Sequence, residues 1–319
     1  MSTPTAQLEA VVAPARDERA GRRGWWLATS LVAVLLTAFF TWPLALHLGG
    51  VWKGYPKALV PAGRPYVAHY GASDGLQTAY VQTQVLDNLR HLREPYLDLD
   101  EGAAGPAPLR TTSLDTPWLV LTALAWPLFG LAAAYNLMLL LGSALTVVAA
   151  MGLLRRHTRW PLLALAGAVV YAFVPYRVIQ LTGHFNAVLW WALPAAAWAF
   201  EVMLERHRNG DRWTVPCAWL VAVTLIVALS GEFHLMLYIS GLVLWLTIWS
   251  LAGAALARRR PPWVPLGVSV GATVAGCLYA VLAFRWAFRG GVAGPSGKYG
   301  EVIATLRARW ARSCTRSPA

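Results

Sequence analysis

Uncharged stretches alternate with short charged segments along most of this chain. Seven stretches contain no Asp, Glu, Lys or Arg, and they are Gly24–Trp52, Thr116–Leu154, Trp160–Tyr176, Val178–Phe200, Trp213–Gly231, Leu235–Ala257 and Pro261–Phe284. A helix needs about 20 apolar residues to cross the hydrocarbon of a bilayer, with a range of about 17–25, and every stretch reaches this length. The pattern predicts an all-α polytopic membrane protein with about seven transmembrane helices.

Composition argues against both a water-soluble domain and a membrane β-barrel. Hydrophobic residues make up 57% of the chain and charged residues 13%, whereas a soluble domain carries about 25% charged residues. Barrel strands alternate apolar and polar residues over about ten positions, but apolar segments such as Leu137–Val148 show no such alternation. Backbone groups must pair inside their own segment in lipid, so helices are expected.

Arginine clusters occupy alternate gaps between the uncharged stretches. The four clusters are Arg16/Arg19/Arg22/Arg23, Arg155/Arg156/Arg159, Arg206/Arg208/Arg212 and Arg258/Arg259/Arg260. Basic residues beside apolar spans concentrate on the cytoplasmic side. We therefore expect a multi-pass protein of the bacterial plasma membrane with a cytoplasmic N-terminus. The same argument explains the net charge of +12 without nucleic acid as a partner.

The stretch Thr116–Leu154 is long enough for two spans, broken at Pro127 or Gly130. Two spans would move the Arg155 cluster to the outer side and invert everything that follows. We therefore assign one span, about Ala133–Leu154, and interpret Pro117–Leu131 as a re-entrant or interfacial helix on the outer side.

The remaining segments divide the chain into three regions. We expect a cytoplasmic segment at 1–23, a transmembrane module at 24–284 with a large outer loop at 49–132, and a polar basic tail at 285–319. Within the loop, Gly75–Arg93 lacks proline and predicts a helix lying on the membrane surface. The tail falls on the outer side against the usual charge bias. Either the span count is wrong by one, or the chain is a truncated or frame-shifted member of a longer family, and we favour truncation at the C-terminus.

Unusual polar residues gather on the predicted outer side. They are Asp74 in the first loop, Tyr176, Arg177, Gln180 and His184 between the third and fourth spans, and Glu232 and His234 between the fifth and sixth. Ionisable groups held at membrane depth are costly and point to function. Each also has a structural interpretation: Asp74 as a solvated loop acid, Arg177 as an interfacial anchor or partner of Glu232, and His184 as a turn cap.

Taken together, these side chains suit an anionic, lipid-linked substrate. Arginine binds phosphate in a bidentate manner, and a carboxylate can act as general base toward a hydroxyl. Asp74, His184, Glu232 and His234 also offer oxygen and imidazole ligands for a divalent cation such as Mg²⁺ or Mn²⁺.

Several short motifs resemble those of multi-spanning glycosyltransferases of the GT-C class. The motifs are Thr41–Trp42–Pro43–Leu44, Asp74 in a long first outer loop, Ala134–Tyr135–Asn136–Leu137, Pro175–Tyr176–Arg177 followed by His184, Ser230–Gly231, and a degenerate Gly297–Lys298–Tyr299–Gly300–Glu301–Val302. As an ordered set they are most similar to the actinobacterial branch related to the RgtA/B/C/D-like and YfhO-like membrane proteins. The resemblance covers about residues 30–300.

The resemblance implies sugar transfer outside the cytoplasm. A polyprenyl-phosphate carrier would donate the sugar to a cell-envelope glycan or protein acceptor, with Asp74 as general base. One alternative is a non-enzymatic binder or transporter of lipid-linked glycans. Transporters bind near the midplane at broken helices, and the sequence places no charge at mid-span, which favours an enzyme. An inactive fragment of the family is the other alternative.

Overall fold

The computed structural model describes residues 19–42, 48, 82–93, 97–98, 107–108, 116–180, 185–231 and 233–287. These residues are almost entirely helical, because apolar segments can pair their backbone groups only within themselves when no water is present. One two-residue β-pair breaks this pattern. In it, β1 (Leu97–Asp98) runs antiparallel to β2 (Ala107–Pro108).

Ten α-helices and one 3₁₀ helix make up the described part of the chain. In chain order they are α1 (Arg19–Phe40), α2 (residues 82–90), α3 (Thr116–Phe129), α4 (Leu131–His157), α5 (Pro161–Ala172), α6 (Pro175–Gln180), the 3₁₀ helix (Phe185–Trp191), α7 (Ala192–Arg208), α8 (Thr214–Leu229), α9 (Phe233–Leu256) and α10 (Trp263–Ala287).

Four described helices are long and apolar enough to cross a membrane. They are Ala133–His157, Ala187–Arg208, His234–Leu256 and Trp263–Leu282. The other apolar helices are shorter: α5 has 12 residues and α8 has 16, about 18 and 24 Å of helix. The structure thus has the helical membrane character that the sequence predicts, while the count of seven spans stays a prediction.

The long stretch before Arg155 breaks at Gly130. Pro127 lies inside α3, whereas Gly130 stands between α3 and α4 with φ of 81°, a conformation that only glycine adopts without strain. The predicted single long helix is confirmed, since α4 continues unbroken from Leu131 to His157. The position of α3 relative to a bilayer stays a prediction.

The fourth predicted span lies further along the chain than the uncharged stretch Val178–Phe200. The long apolar helix covers Ala187–Arg208 instead and includes Glu201 and Glu205. The helix continues past the end of the uncharged stretch, and Arg156 of α4 forms ion pairs with both acids.

Helix α4 lies at the centre of one half of the molecule. It packs against α1, α3, α5, the 3₁₀ helix and α7, while α8, α9 and α10 pack beside α7. The closest approach is at Gly142, where any added Cβ would overlap Val188 of the 3₁₀ helix, including its carbonyl oxygen. This glycine brings the 3₁₀ helix against the middle of α4.

The predicted surface helix of the outer loop is described only in part. Residues 82–90 form α2, and residues 75–81 lie outside the described residues. Helix α2 is held to α3 by a hydrogen bond from Thr122 Oγ1 to Gln82 Oε1 of 3.1 Å and by the Arg90 guanidinium, 4.9 Å from the ring centre of Trp126.

Helices α9 and α10 expose a broad apolar surface. Large exposed side chains follow one another along both helices, among them Leu244, Trp245, Ile248, Val274 and Leu282. Soluble monomers rarely expose apolar patches of this extent. A hydrocarbon environment accounts for this surface.

Candidate functional site

The structure describes only part of the predicted site. Asp74, His184 and Glu232 lie outside the described residues, as does the side chain of Gln180, whose backbone ends α6. Tyr176, Arg177 and His234 are described. The convergence of all seven side chains therefore stays a prediction.

Arg177 is fully buried, with none of its surface exposed. Its guanidinium donates hydrogen bonds to the carbonyl oxygen of Ala172, to Ser143 Oγ at 3.4 Å and to Thr146 Oγ1 at 3.2 Å. Ala172 is the last residue of α5, where helix carbonyls lack partners within the helix. Arg177 thus ties the end of α5 to α4.

Ser143 and Thr146 place the guanidinium near the middle of α4, which runs from Leu131 to His157. Helix α5 is too short to reach the far end of α4, so the break between α5 and α6 lies beside the middle of α4. Arg177 folds back beside the centre of a long apolar helix, where the sequence predicts no charge. A sequence-based topology places Arg177 at the membrane surface because it treats Trp160–Tyr176 as one complete span.

The charge of Arg177 has no acidic partner among the described residues. Its three acceptors are a carbonyl and two hydroxyls, and its Nε has no hydrogen-bond partner. The hydroxyl proton of Thr146 is already used in a hydrogen bond to the Gly142 carbonyl at 2.6 Å. A cation held this way retains a strong attraction for an anion, since burial removes the water that would otherwise screen it.

Tyr176 and Arg177 are neighbours on α6 in opposite environments. Tyr176 is 59% exposed, and its ring centre lies 5.9 Å from that of Trp190. Trp190 is partly buried, so the exposed ring of Tyr176 is the part of this pair that offers an apolar surface to a ligand beside the helix break. Arg177 lies on the covered side of the same short helix.

His234 lies in the first turn of α9 and is exposed. The other end of α9, at Leu256, leads into Arg258, Arg259 and Arg260. The helix therefore separates the predicted site residue from the arginine cluster by its full length. Within the described ranges, no three His, Cys, Asp or Glu side chains lie close enough to hold a metal ion, and three of the four proposed ligands lie outside those ranges.

Three arginine clusters meet at the other end of the molecule. A cavity of about 1760 Å³ is lined there by Arg155, Arg156, Arg206, Arg208, Arg259 and Arg260, together with Trp25 and Trp26 of α1. We call it the arginine-lined cavity. The clusters that the sequence assigns to one side of the membrane thus share one end of the structure, while the identity of that side stays a prediction.

An ion-pair network at this end was not foreseen. Arg156 bonds Glu201 at 2.9 Å and Glu205 at 2.7 Å, and His157 Nε2 lies 3.0 Å from Glu201. Glu201 and Glu205 are four residues apart, so they share one helix face. That spacing, opposite an arginine cluster, is the sequence signal that could have identified the network.

No protein-family model, curated protein or solved structure matches this chain. Its long apolar helices and their exposed apolar surface are typical of a helical membrane protein.

Proposed function

We propose that this protein is a membrane glycosyltransferase that acts on the side of the bilayer opposite the arginine clusters. A polyprenyl-phosphate carrier donates the sugar, and a cell-envelope glycan or protein accepts it. We assign the arginine end to the cytoplasm, so the reaction takes place on the extracytoplasmic side.

The observation that carries this proposal is the buried Arg177. A guanidinium beside the centre of an apolar helix is costly to maintain, and its described partners are all neutral. Such a group attracts an anion to the break between α5 and α6. The carrier phosphate is an anion already anchored in the bilayer by its lipid chain.

The other described residues have supporting roles in the proposal. Tyr176 with Trp190 provides an aromatic surface beside the break, which suits a sugar ring or an isoprene unit. His234, exposed at the start of α9, contacts the phosphate. Gln180, His184 and Glu232 complete the binding set as the sequence predicts.

Asp74 acts as the general base. Its carboxylate accepts the proton of the acceptor hydroxyl, whose oxygen forms a bond to the anomeric carbon of the sugar. The bond between that carbon and the carrier phosphate oxygen breaks, and the polyprenyl phosphate leaves with the electron pair. Proton transfer by a positioned side chain contributes about 10²–10⁴-fold to a rate.

A second candidate is a transporter that moves a lipid-linked glycan across the bilayer. The position of Arg177 beside the middle of α4 favours it, because transporters bind substrate near the midplane at interrupted helices. Both candidates bind the same ligand, and they differ in whether a glycosidic bond forms.

Reconstituted vesicles separate the two functions. The full chain is placed in liposomes with a radiolabelled polyprenyl-phosphate sugar and a soluble cell-envelope oligosaccharide. A glycosyltransferase moves the label to the oligosaccharide, whereas a transporter moves labelled carrier between leaflets with the sugar still attached.

Asp74→Asn is the decisive variant in this assay. It should lower transfer by at least about 100-fold while membrane insertion is retained. Asp87→Asn is the matched control: Asp87 lies in the same outer loop, is paired with His91 at 3.5 Å, and should leave transfer unchanged. Full activity in Asp74→Asn would remove this residue from the mechanism.

A further inference from the structure

The arginine-lined cavity has more positive charge than its own acids can neutralise. Six arginines line it, against Glu201, Glu205 and Asp211. Arg156 forms ion pairs with both glutamates. Within the described part of the chain, the other five arginines form no ion pair with a carboxylate within 4.0 Å.

Basic residues that served only to orient the chain in the membrane would not need to line a common cavity. The positive-inside effect depends on how many basic residues flank each span, and clusters facing separate directions would satisfy it equally well. Here Arg155 and Arg156 from the end of α4, Arg206 and Arg208 from α7, and Arg259 and Arg260 before α10 all line one cavity.

The wall of the cavity changes from basic to apolar along α9. Trp249, Gly253 and Ala254 line it, and Leu246 is the lining residue of α9 that lies furthest along the helix from Leu256. Leu246 precedes the last residue of α9 by ten positions, about 15 Å of helix. Trp25, Trp26 and Trp198 add aromatic surface on the other side. The lining is therefore basic near the end of α9 and apolar further along that helix.

Size and polarity together favour a lipid over a small soluble anion. The volume of about 1760 Å³ exceeds the range of about 300–1,000 Å³ that is typical of small-molecule pockets. Basic pockets between membrane helices bind anionic lipid headgroups, and an acyl chain would cover the tryptophans and Leu246.

We propose that the arginine-lined cavity is a binding site for one anionic phospholipid, whose phosphate headgroup contacts Arg208, Arg259 and Arg260 and whose acyl chain lies along α9. The site is at the opposite end of the molecule from the proposed transferase site and does not depend on that function.

A matched pair of double variants tests the proposal. Arg259→Gln/Arg260→Gln removes two charges from the cavity. Arg159→Gln/Arg212→Gln removes two charges from the same end of the molecule, and neither residue lines the cavity. The backbone carbonyls of Arg159 and Arg212 accept hydrogen bonds, and these survive substitution. Effects of total charge on membrane insertion are therefore matched.

Lipid binding to the purified full chain is measured by native mass spectrometry. Phosphatidylglycerol and phosphatidylcholine with identical acyl chains are titrated in turn. The wild type should bind one phosphatidylglycerol in clear preference to phosphatidylcholine. The cavity double variant should lose about thirtyfold in affinity for phosphatidylglycerol, and the control double variant should stay within about twofold of wild type.

Three results would overturn the proposal. Equal losses in both double variants would indicate diffuse surface charge instead of a site. Equal binding of the two lipids would exclude headgroup recognition. If inorganic phosphate binds as tightly as phosphatidylglycerol, and Trp249→Ala weakens neither, then the cavity holds a free anion and not a lipid.

Discussion

Arg156 and Glu201 form an ion pair, with Arg156 Nε 2.9 Å from Glu201 Oε2. The contact joins the last turn of α4 to α7 across 45 positions of sequence. Both side chains are about one-quarter exposed, so solvent screens the pair only in part. The network therefore fixes how α4 and α7 meet at the arginine end.

A double-mutant cycle at this pair should show coupling. Arg156→Ala and Glu201→Ala should each lower the unfolding temperature in detergent by roughly 2–4 °C, as expected for about 1 kcal/mol. The double variant should lower the unfolding temperature by less than the sum of the two single decreases. Asp211→Asn, at an exposed acid, is the control and should change stability by less than about 0.5 kcal/mol. If the decrease in the double variant equals the sum of the two single decreases, the ion pair contributes nothing to stability.

Gly142→Ala should be strongly destabilising. The added methyl would overlap the Val188 carbonyl oxygen as well as its side chain, and a backbone atom cannot rotate away. Overpacking of this kind costs about 1–3 kcal/mol or more. Gly241→Ala is the matched control, because nothing lies within 4 Å of its added methyl and alanine favours a helix by up to about 1 kcal/mol. Thermal unfolding in detergent should separate the two, and similar unfolding temperatures would contradict the packing described.

Arg177→Met should separate function from stability. Methionine fills a similar volume without the buried charge, and replacing buried charges by apolar residues is often neutral or stabilising. We expect an unfolding temperature near that of wild type, together with loss of polyprenyl-phosphate binding per folded molecule. Arg177→Lys keeps the charge and should retain part of the binding. A large drop in unfolding temperature with normal binding would show that Arg177 only caps α5.

The hydrogen bond from Thr122 should stabilise the fold because it pairs the buried side-chain amide oxygen of Gln82. Thr122 is fully buried and Gln82 nearly so, and Gln82 Nε2 has no hydrogen-bond partner. Thr122→Val should destabilise the protein by about 1–3 kcal/mol, because it leaves the amide wholly unpaired. Gln82→Met added to Thr122→Val should restore much of that loss. Failure of this rescue in thermal unfolding would argue against the α2–α3 contact.

The sequence predicts the helical membrane character well, for a clear physical reason. An apolar segment in lipid has one common way to satisfy its backbone, and the charged gaps reveal where segments end. The sequence offers Pro127 or Gly130 as the break in the long stretch, and the structure has it at Gly130, since glycine tolerates the positive φ found there. The arginine clusters occupy alternate gaps between the uncharged stretches, and this spacing predicts that they share one end of the structure.

Charge alone does not locate every helix end. Glu201 and Glu205 belong to a long apolar helix, and Arg156, from a distant part of the sequence, forms ion pairs with both. Trp160–Tyr176 contains no charge, yet the helix within it ends at Ala172 and Arg177 folds back toward α4. The end of α5 has a local signal in Pro175, since helices usually end before a proline, whereas the contacts of Arg177 with α4 are long-range and hydropathy does not encode them.

Cysteine labelling measures which end of the protein faces the outside of the cell, and the proposed function depends most directly on this orientation. His234→Cys and Asn209→Cys are introduced separately into a chain whose Cys217, Cys277 and Cys314 are replaced by alanine. Both target positions are exposed, one at each end of the molecule. A membrane-impermeant maleimide added to intact cells should modify His234→Cys and should reach Asn209→Cys only after permeabilisation. Labelling of Asn209→Cys in intact cells, with His234→Cys protected, would contradict the proposed orientation and the extracytoplasmic reaction that rests on it.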